Sequence, residues 1–446
     1  MIPKMEKKPK RCQFPTRMIG MTTELILNAS ISFRAVPKVL HTIFSDFPSM
    51  KNEPIPTHKT VGRWLSKLGL YKLNLPKEQA ADWAFIVDNS VQVGTSKCLV
   101  ILGVRLSKLK GKPLEFADME TLLIEVHQNP DKNTVCQALE KAQNRVGKAV
   151  MLCADDGTDL RGGIHLFCKK HGVRRVFDTI HKIGTFLKGI LGKDPTWHAF
   201  TKAAAEAKKK MQQTEAAHLM PPNQRSKSRF LNTEILTRWA VNTLAIMEEA
   251  NHPDKNMLKK HCGWIVKYKN LIELPKQLDL INKRVRQHVR ERGISSNTAK
   301  QVEELLEEIM AWPSFNESAC QYAGKLIDFF KEQSQIVPEN EIWICSSEVI
   351  ESLFGKFKRL EQDQCKGGFT SLVLGIAACT GEVDARIVEE AMVRVKTKDV
   401  EAWVKREIGS TFLSKRKKAF RAKRRGKAKK NVQECAGTVL EKAVGF

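Results

Sequence analysis

The chain has 446 residues, more than one ordinary domain needs, and 42% of them are hydrophobic, so buried cores are expected. Its 75 Lys and Arg against 49 Asp and Glu give a formal net charge of +26, which predicts a polyanionic partner, nucleic acid before an anionic membrane surface. No apolar run approaches the roughly 20 residues of a membrane span. The basic start, MIPKMEKKPKRCQ, has no adjoining apolar segment and is not a secretory signal.

The 11 cysteines are scattered without a CxxC pair, and several lie in apolar, strand-like segments. This usage is typical of reduced, buried thiols, and it argues against a disulfide framework and against a cysteine-based zinc site. The sequence therefore predicts a cytoplasmic protein, which would be associated with the nucleoid in a prokaryote.

Residues 1–80 predict a DNA-binding region. Apolar residues at helical spacing predict one helix from Ser32 onward, and after a polar connector Thr57 caps a second helix that Gly69 ends. A short basic helix behind another helix is the pattern of a helix-turn-helix, whose second helix enters the major groove of DNA. The alternative is an ordinary amphipathic helix with a solvated basic face. The basic face of the second helix carries His58, Lys59, Arg63 and Lys67.

Residues 81–200 are rich in strand patterns. Three consecutive strands are predicted, followed by a helix, a fourth strand, a second helix and a last strand. This is the element order of the ribonuclease-H-like fold, in which the first and fourth strands are neighbours. The predicted fold class is therefore an α/β core with a mixed sheet of this kind, together with the N-terminal helix-turn-helix and a large all-α insertion.

Two of the predicted strands end in a carboxylate. The first strand, WAFIVD, ends in Asp88, and the fourth runs through KAVMLCADDGTD into Asp155 and Asp156. Because the first and fourth strands are neighbours in this fold, Asp88 and Asp155 are expected to converge at one edge of the sheet. Asp156 remains an alternative as the second acid, although Asp156 and Asp159 also suit a turn and a helix cap.

A third carboxylate is expected from the helix predicted in IWICSSEVIESLFGKFK. Glu348 and Glu351 are three residues apart and point to roughly one face of that helix. Glu348 also suits a first turn, where an acid complements the helix dipole, so Glu351 is preferred and Glu348 is the alternative.

Three carboxylates are enough for a magnesium site, because Mg²⁺ binds through few protein carboxylates and through substrate phosphates. Two such ions about 3.5–4 Å apart catalyse phosphodiester cleavage and strand transfer. The sequence therefore predicts two Mg²⁺ ions, with Mn²⁺ as a substitute, at Asp88, Asp155 and Glu351.

Several basic segments predict further contacts with DNA phosphates. One is a loop in the helical insertion, one is the helix that carries Glu351, and one is FDTIHK at the end of the last strand. In FDTIHK, we expect Asp178, His181 and Lys182 to orient the site or to touch phosphate, with structural packing as the alternative. The tail segment SKRKKAFRAKRRGKAKK is a solvated cationic run suited to non-specific phosphate binding. The candidate DNA-binding residues in the first three segments are Lys182, Arg225, Lys227, Arg229, Lys356 and Lys358.

In chain order, the helix pair, FIVDNSVQVGTSKCLVILGV, LCADDGTDLRGG, FDTIHK and SSEVIESLFGKFK resemble a prokaryotic insertion-sequence transposase of the DDE class. The resemblance runs from about residue 33 to 400. By motif position it implies that Asp88, Asp155 and Glu351 are the first, second and third acids of that class.

The resemblance also implies an activity and partners. The activity is Mg²⁺-dependent cleavage and joining of double-stranded DNA, at the transposon ends and at the target. A homodimer or higher multimer is implied because two ends must be held together, and the helical insertion is implied to contact DNA. The predicted division of the chain is 1–80 for DNA binding, 81–200 and 341–410 for the core, 201–340 for the insertion and 411–446 for the basic tail.

Other functions stay open at this point. One is a transposase-derived DNA-binding protein without catalysis, and another is a metal-dependent nuclease that cuts DNA but does not join it. A nuclease directed at RNA is a weaker alternative.

Overall fold

The computed structural model describes residues 8–421 apart from 110–112, 225–229, 231–232, 313–314 and 363–367. Its strands are β1 Ala80–Val93, β2 Ser96–Arg105, β3 Glu120–Gln128, β4 Gly147–Ala154 and β5 Arg174–Phe177. The helices before and within the strand region are α1 Thr16–Leu27, α2 Val36–Asp46, α3 His58–Asn74, α4 Lys132–Val146, α5 Thr158–His171 and α6 Thr179–Leu191. The later helices are α7 Pro195–Met211, α8 Thr233–Glu248, α9 Lys255–Cys262, α10 Lys269–Arg292, α11 Thr298–Met310, α12 Glu317–Ser334, α13 Glu348–Gln362, α14 Gly375–Cys379, α15 Ala385–Arg394 and α16 Thr397–Glu407.

The five strands form one mixed sheet in the order β3-β2-β1-β4-β5. β1 pairs with β2 in the antiparallel direction and with β4 in the parallel direction. The predicted adjacency of the first and fourth strands is therefore present, and the sheet is consistent with a ribonuclease-H-like core.

The central strand β1 is apolar because both of its faces are covered. Trp83 and Phe85 belong to a cluster with α4 and α5 on one face of the sheet, and Ala84 and Ile86 belong to the main core on the other. A strand buried on both faces reads as a continuous apolar run, as WAFIV does here. This double burial holds the C-terminal ends of β1 and β4 in a rigid frame.

The N-terminal region forms α1, α2 and α3, but a helix-turn-helix is not shown. Residues 47–57 separate α2 from α3, whereas the motif has a turn of roughly 3–4 residues. α3 is also longer than predicted, because Gly69 does not end it. A side chain at Gly69 would collide with the backbone of Leu374, so glycine serves the close approach of α3 to the segment that leads into α14.

The insertion is helical, as predicted, and comprises α7 to α12. Its longest described helix, α10, has 24 residues and runs through Pro275. The basic loop residues Arg225, Lys227 and Arg229 lie outside the described residues. In the tail, residues 412–421 are helical and the remainder is also outside the described part of the chain. Among the helices described, none combines the length and apolar character that crossing a membrane requires.

Candidate active site

The first two predicted acids lie on neighbouring strands, Asp155 directly after the end of β4 and Asp88 within β1, which continues to Val93 instead of ending at Asp88 as predicted. Ile86 lies opposite Cys153 in this parallel pair, and two residues further along each chain come Asp88 and Asp155. The backbone N–H of Asn89 donates to Asp88 Oδ1 at 2.6 Å.

A glycine makes room for the second acid. The backbone N–H of Gly157 donates to Asp155 Oδ1 at 3.0 Å. A Cβ at position 157 would lie 3.0 Å from the same oxygen, which is tighter than ordinary contact. A side chain there would therefore press on the Asp155 carboxylate.

The alternative second acid, Asp156, is engaged elsewhere. Its carboxylate accepts a hydrogen bond from Arg175 Nη2 at 3.1 Å and lies 3.5 Å from Arg161 Nε. The same Arg175 nitrogen donates to the backbone oxygen of Asp155 at 2.9 Å. Asp159 forms an ion pair with Lys97. The two adjacent acids therefore have different neighbours. Asp155 lies toward Asp88, and Asp156 contacts the two arginines.

The third acid comes from α13, which packs against β1. Glu351 Oε1 lies 3.3 Å from His181 Nε2. Glu348, one turn earlier, accepts a hydrogen bond from Arg286 Nη2 at 3.4 Å and lies 3.6 Å from Arg290 Nε. The structure therefore brings Glu351 to the acid cluster, while Glu348 ties α13 to α10 of the insertion.

The electrostatics show that the pKa of Asp88 responds to the other two carboxylates. Burial first, and then the charges of Asp155 and Glu351, raise the pKa of Asp88 to about 7 against the opposing effects of Asn89 and His181. Burial also raises the pKa of Glu351, and Asp155 contributes in the same direction. Like charges held together in a partly buried site raise the pKa of one another, and either a bound proton or a bound cation relieves them.

A buried network ends at this site. Asp178 is 2% exposed and caps α6 by accepting the His181 backbone N–H at 2.9 Å. It also accepts the backbone N–H of Ser347 at 2.6 Å and the Ser347 hydroxyl, so it joins the end of β5 to the start of α13. His181 Nδ1 lies 3.5 Å from Asp178 Oδ2. Through Asp178 and His181, the backbone ahead of α13 is linked to the Glu351 carboxylate.

The Asp178 carboxylate makes His181 a cation. It raises the pKa of His181 to about 9 despite burial, with smaller contributions from Glu351 and Asp155. Burial raises the pKa of Asp178, but contacts with His181 and Ser347 outweigh it and hold that pKa below its usual value. A positive charge thus lies between Asp178 and Glu351.

The donor set suits a hard divalent cation, because Asp88, Asp155 and Glu351 offer only carboxylate oxygens. Their mutual charge effects are the kind that such a cation would relieve. Within the described residues, however, no three His, Cys, Asp or Glu side chains are gathered closely enough to hold a metal ion.

The predicted DNA-binding lysines occupy different surroundings. The ammonium of Lys182 lies 5.9, 5.2 and 5.7 Å from the ring centres of Phe177, Phe186 and Phe329. Lys356 lies 5.1 Å from the ring of Phe116, whereas Lys358 is exposed. Lys182 and Lys356 therefore contact aromatic rings, as cation–π partners.

The basic face of α3 lies in a groove. His58, Lys59 and Arg63 are exposed, Lys67 is half-buried, and all four line this groove together with α16.

Three functional contacts were not predicted. They are the arginine pair on Glu348, the Arg175 contact with Asp155 and Asp156, and the Ser347 contact with Asp178. The sequence shows the basic stretch that contains Arg286 and Arg290. Their partner, Glu348, lies on a different helix, α13.

No family model matches this chain, and no curated protein matches it. Among solved structures, the Drosophila P element transposase strand transfer complex is similar over 91% of this chain and 84% of that chain, at 12% sequence identity and a TM-score of 0.29. A TM-score this low carries no argument about fold or function, so the site rests on its own geometry.

Proposed function

We propose that the protein is a DNA transposase that cleaves phosphodiester bonds at transposon ends and joins them to target DNA. One observation carries this proposal. Asp88 within β1 and Asp155 just after β4 lie on adjacent parallel strands, and Glu351 approaches them on a helix packed against β1. Three carboxylates on such a frame suit metal-dependent phosphoryl transfer.

In this proposal Asp88, Asp155 and Glu351 hold Mg²⁺, which when bound activates the attacking oxygen and stabilises the leaving one. His181 orients Glu351, and Asp178 holds His181 in place through α6. No serine or tyrosine nucleophile is required, because water attacks first and a DNA 3′-hydroxyl attacks second.

The basic surface and the insertion serve DNA binding in this proposal. The net charge of +26 favours a polyanion, and the described part of α10 presents Arg286 and Arg290 beside α13. We propose a homodimer or higher multimer, because two DNA ends must be held together for joining.

The experiment is a strand-transfer assay with DNA that carries the inverted repeats flanking the gene. We expect nicked and joined products with Mg²⁺ or Mn²⁺, and neither product with EDTA. Asp88→Asn should abolish both products, while Asp156→Asn, a matched change at the strand end, should retain them. Joined products formed by Asp88→Asn would sink the assignment of the active site.

One observation favours a second candidate, a transposase-derived DNA-binding protein without catalysis. In the described residues the acids are not gathered as a ready metal site, and His181 already lies against Glu351. The same assay separates the candidates. DNA binding without any cleavage in Mg²⁺ or Mn²⁺ would favour this candidate, and nicks without joined molecules would indicate a nuclease.

A further inference from the structure

The basic face of α3 and one face of α16 line a groove of about 700 Å³. Its floor is apolar and includes the buried side chains of Phe33, Leu372 and Val400. At the base, the Ser66 hydroxyl donates to Ser371 at 3.3–3.4 Å, which joins α3 to the segment ahead of α14. The groove is therefore a built feature of the packed N-terminal and C-terminal helices.

The rim of this groove is strongly cationic. Six of its lining side chains are basic and one, Glu401, is acidic; within the described residues none of the six is held in an ion pair. Lys59, Arg63 and Lys67 follow one another at intervals of four residues, so they form a line of charge about 12 Å long on one face of α3. The remaining basic members of the rim are Arg34, His58 and Lys405.

The position of α16 limits what can enter. α3 and α16 are in contact, and two packed helices are about 8–10 Å apart between axes, each about 10–12 Å wide. The major groove of B-DNA is about 12 Å wide and admits one helix. Because α16 lies alongside α3, the basic face of α3 forms one wall of a cleft. It does not protrude as a recognition helix that could enter the major groove.

We propose that this groove binds a single strand of DNA, with phosphates on the cationic rim and sugars and bases over the apolar floor. Single strands are bound without sequence preference in positively charged grooves that follow the backbone and offer aromatic rings to the bases, and Phe33 is an aromatic residue of this floor. A nucleic acid is favoured over an acidic protein segment because the rim repeats its charge along a line and the whole chain carries +26. The inference rests on the proposed action on DNA.

The test measures fluorescence anisotropy of labelled oligonucleotides with the full-length Asp88→Asn protein in EDTA, so that binding is separated from cleavage. Charge reversal in the groove should weaken binding of the single strand more than binding of the blunt duplex of the same sequence, which the basic insertion also contacts in the proposed function. Lys59→Glu with Arg63→Glu should weaken single-strand binding at least about 10-fold and reduce the slope of log K against log salt by roughly 1.4, the value for two lost phosphate contacts.

A matched control has the same change in charge on another surface. Lys259 and Lys260 are exposed on α9, which packs against α7 and α8 of the insertion. Lys259→Glu with Lys260→Glu should weaken single-strand binding less than 3-fold. If both double variants weaken single-strand binding equally, the proposal is overturned, because the DNA would then be attracted only by the net charge of the protein.

A floor variant separates contact from charge. Val404 is half-buried in the groove, and Val404→Lys adds a positive charge there. If the strand lies on the floor, this variant should bind more weakly despite its extra charge. Tighter binding by Val404→Lys, or an equal loss of single-strand and duplex binding in Lys59→Glu with Arg63→Glu, would contradict the proposal, and so would stronger competition from poly-glutamate than from unlabelled DNA.

Thermal melts check that each variant is folded. The outcome is independent of catalysis. If the groove variants weaken single-strand binding but the unmodified protein never cuts DNA, the groove proposal stands and the transposase assignment fails. If the protein cuts and joins DNA but the groove variants bind the single strand as tightly as before, the transposase assignment stands and the groove proposal fails.

Discussion

The acid cluster and the α3–α16 groove carry opposite charges and are built differently. Beside the sheet, burial and the charges of Asp155 and Glu351 raise the pKa of Asp88, and the imidazolium of His181 lies against Glu351. In the groove, five Lys and Arg side chains and His58 face one carboxylate across an apolar floor. Acidic groups predominate in the first region and basic groups in the second, so each suits a ligand of the opposite charge.

The largest expected effect distinguishes the two glutamates of α13. Glu351→Gln should lower DNA cleavage by at least about 1,000-fold, because it removes a proposed metal ligand at the acid cluster. Glu348→Gln should lower it by about 10-fold or less, since Glu348 contacts Arg286 and Arg290. Cleavage rates under single-turnover conditions provide the measurement, and the reverse order of effects would exchange the two roles.

The buried end of α3 provides a contrast with its exposed start. Lys72 donates to the backbone oxygens of Gly381 and Glu382 at 3.2 and 3.1 Å, and burial lowers its pKa to about 8. The unfolded lysine, with a pKa near 10.4, binds its proton more tightly than the folded one.

Unfolding therefore takes up a proton between these pKa values, and the free energy of unfolding should rise by about 2–3 kcal/mol from pH 8 to pH 10.4 on account of Lys72. Urea unfolding across this pH range measures the free energy of unfolding. Its rise should be absent in Lys72→Met and present in Lys59→Met, because Lys59 is an exposed lysine of the same helix. An identical pH dependence in Lys72→Met and in the unmodified protein would contradict the assignment.

The acid cluster should lower the free energy of unfolding while it provides the proposed metal ligands. The folded pKa of Asp88, about 7, lies above its unfolded value, so the folded state binds its proton more tightly and stability falls as pH rises through this interval. In EDTA, Asp88→Asn should raise the free energy of unfolding by about 1–3 kcal/mol at pH 8. At pH 4 the two proteins should melt alike, and a gain of equal size at both pH values would rule out charge repulsion as its cause.

The smallest effect tests the link between the insertion and the active site. Arg286 and Arg290 of α10 hold Glu348, and Ile294 and Trp343 form a two-bond bridge just beyond α10. Arg286→Ala with Arg290→Ala should reduce the cleavage rate about 3- to 10-fold by loosening α13, which corresponds to about 1 kcal/mol. Arg284→Ala with Lys283→Ala serves as control on the same helix, and equal losses would assign the effect to general DNA binding.

Much of the core was predictable because its signals are local. An apolar run followed by an acid marks a buried strand, so Asp88 and Asp155 could be placed on strands from WAFIVD and MLCADD alone, although β1 runs past Asp88 to Val93. The helical insertion was likewise readable from periodicity. The end of α3 was not, because Gly69 acts through close packing against Leu374 and its role as a helix stop was inferred from local preference only.

The choice within each pair of neighbouring acids required the tertiary structure. Asp155 and Asp156 are adjacent in sequence, and Arg175 on the next strand is what holds Asp156 away. Glu348 and Glu351 share one helix, and their partners, Arg286 and His181, come from elements more than 60 residues earlier. A side chain's partner depends on which elements pack together, and local patterns do not contain that information.

The sequence by itself determined the strands, the helices, the acids at the strand ends and the excess of positive charge, because each follows from short-range periodicity, turn residues or composition. Only the tertiary structure decided that Glu351 joins Asp88 and Asp155, and that the basic face of α3 borders a groove with α16. These features depend on contacts between segments hundreds of residues apart, which form when their apolar faces are buried together.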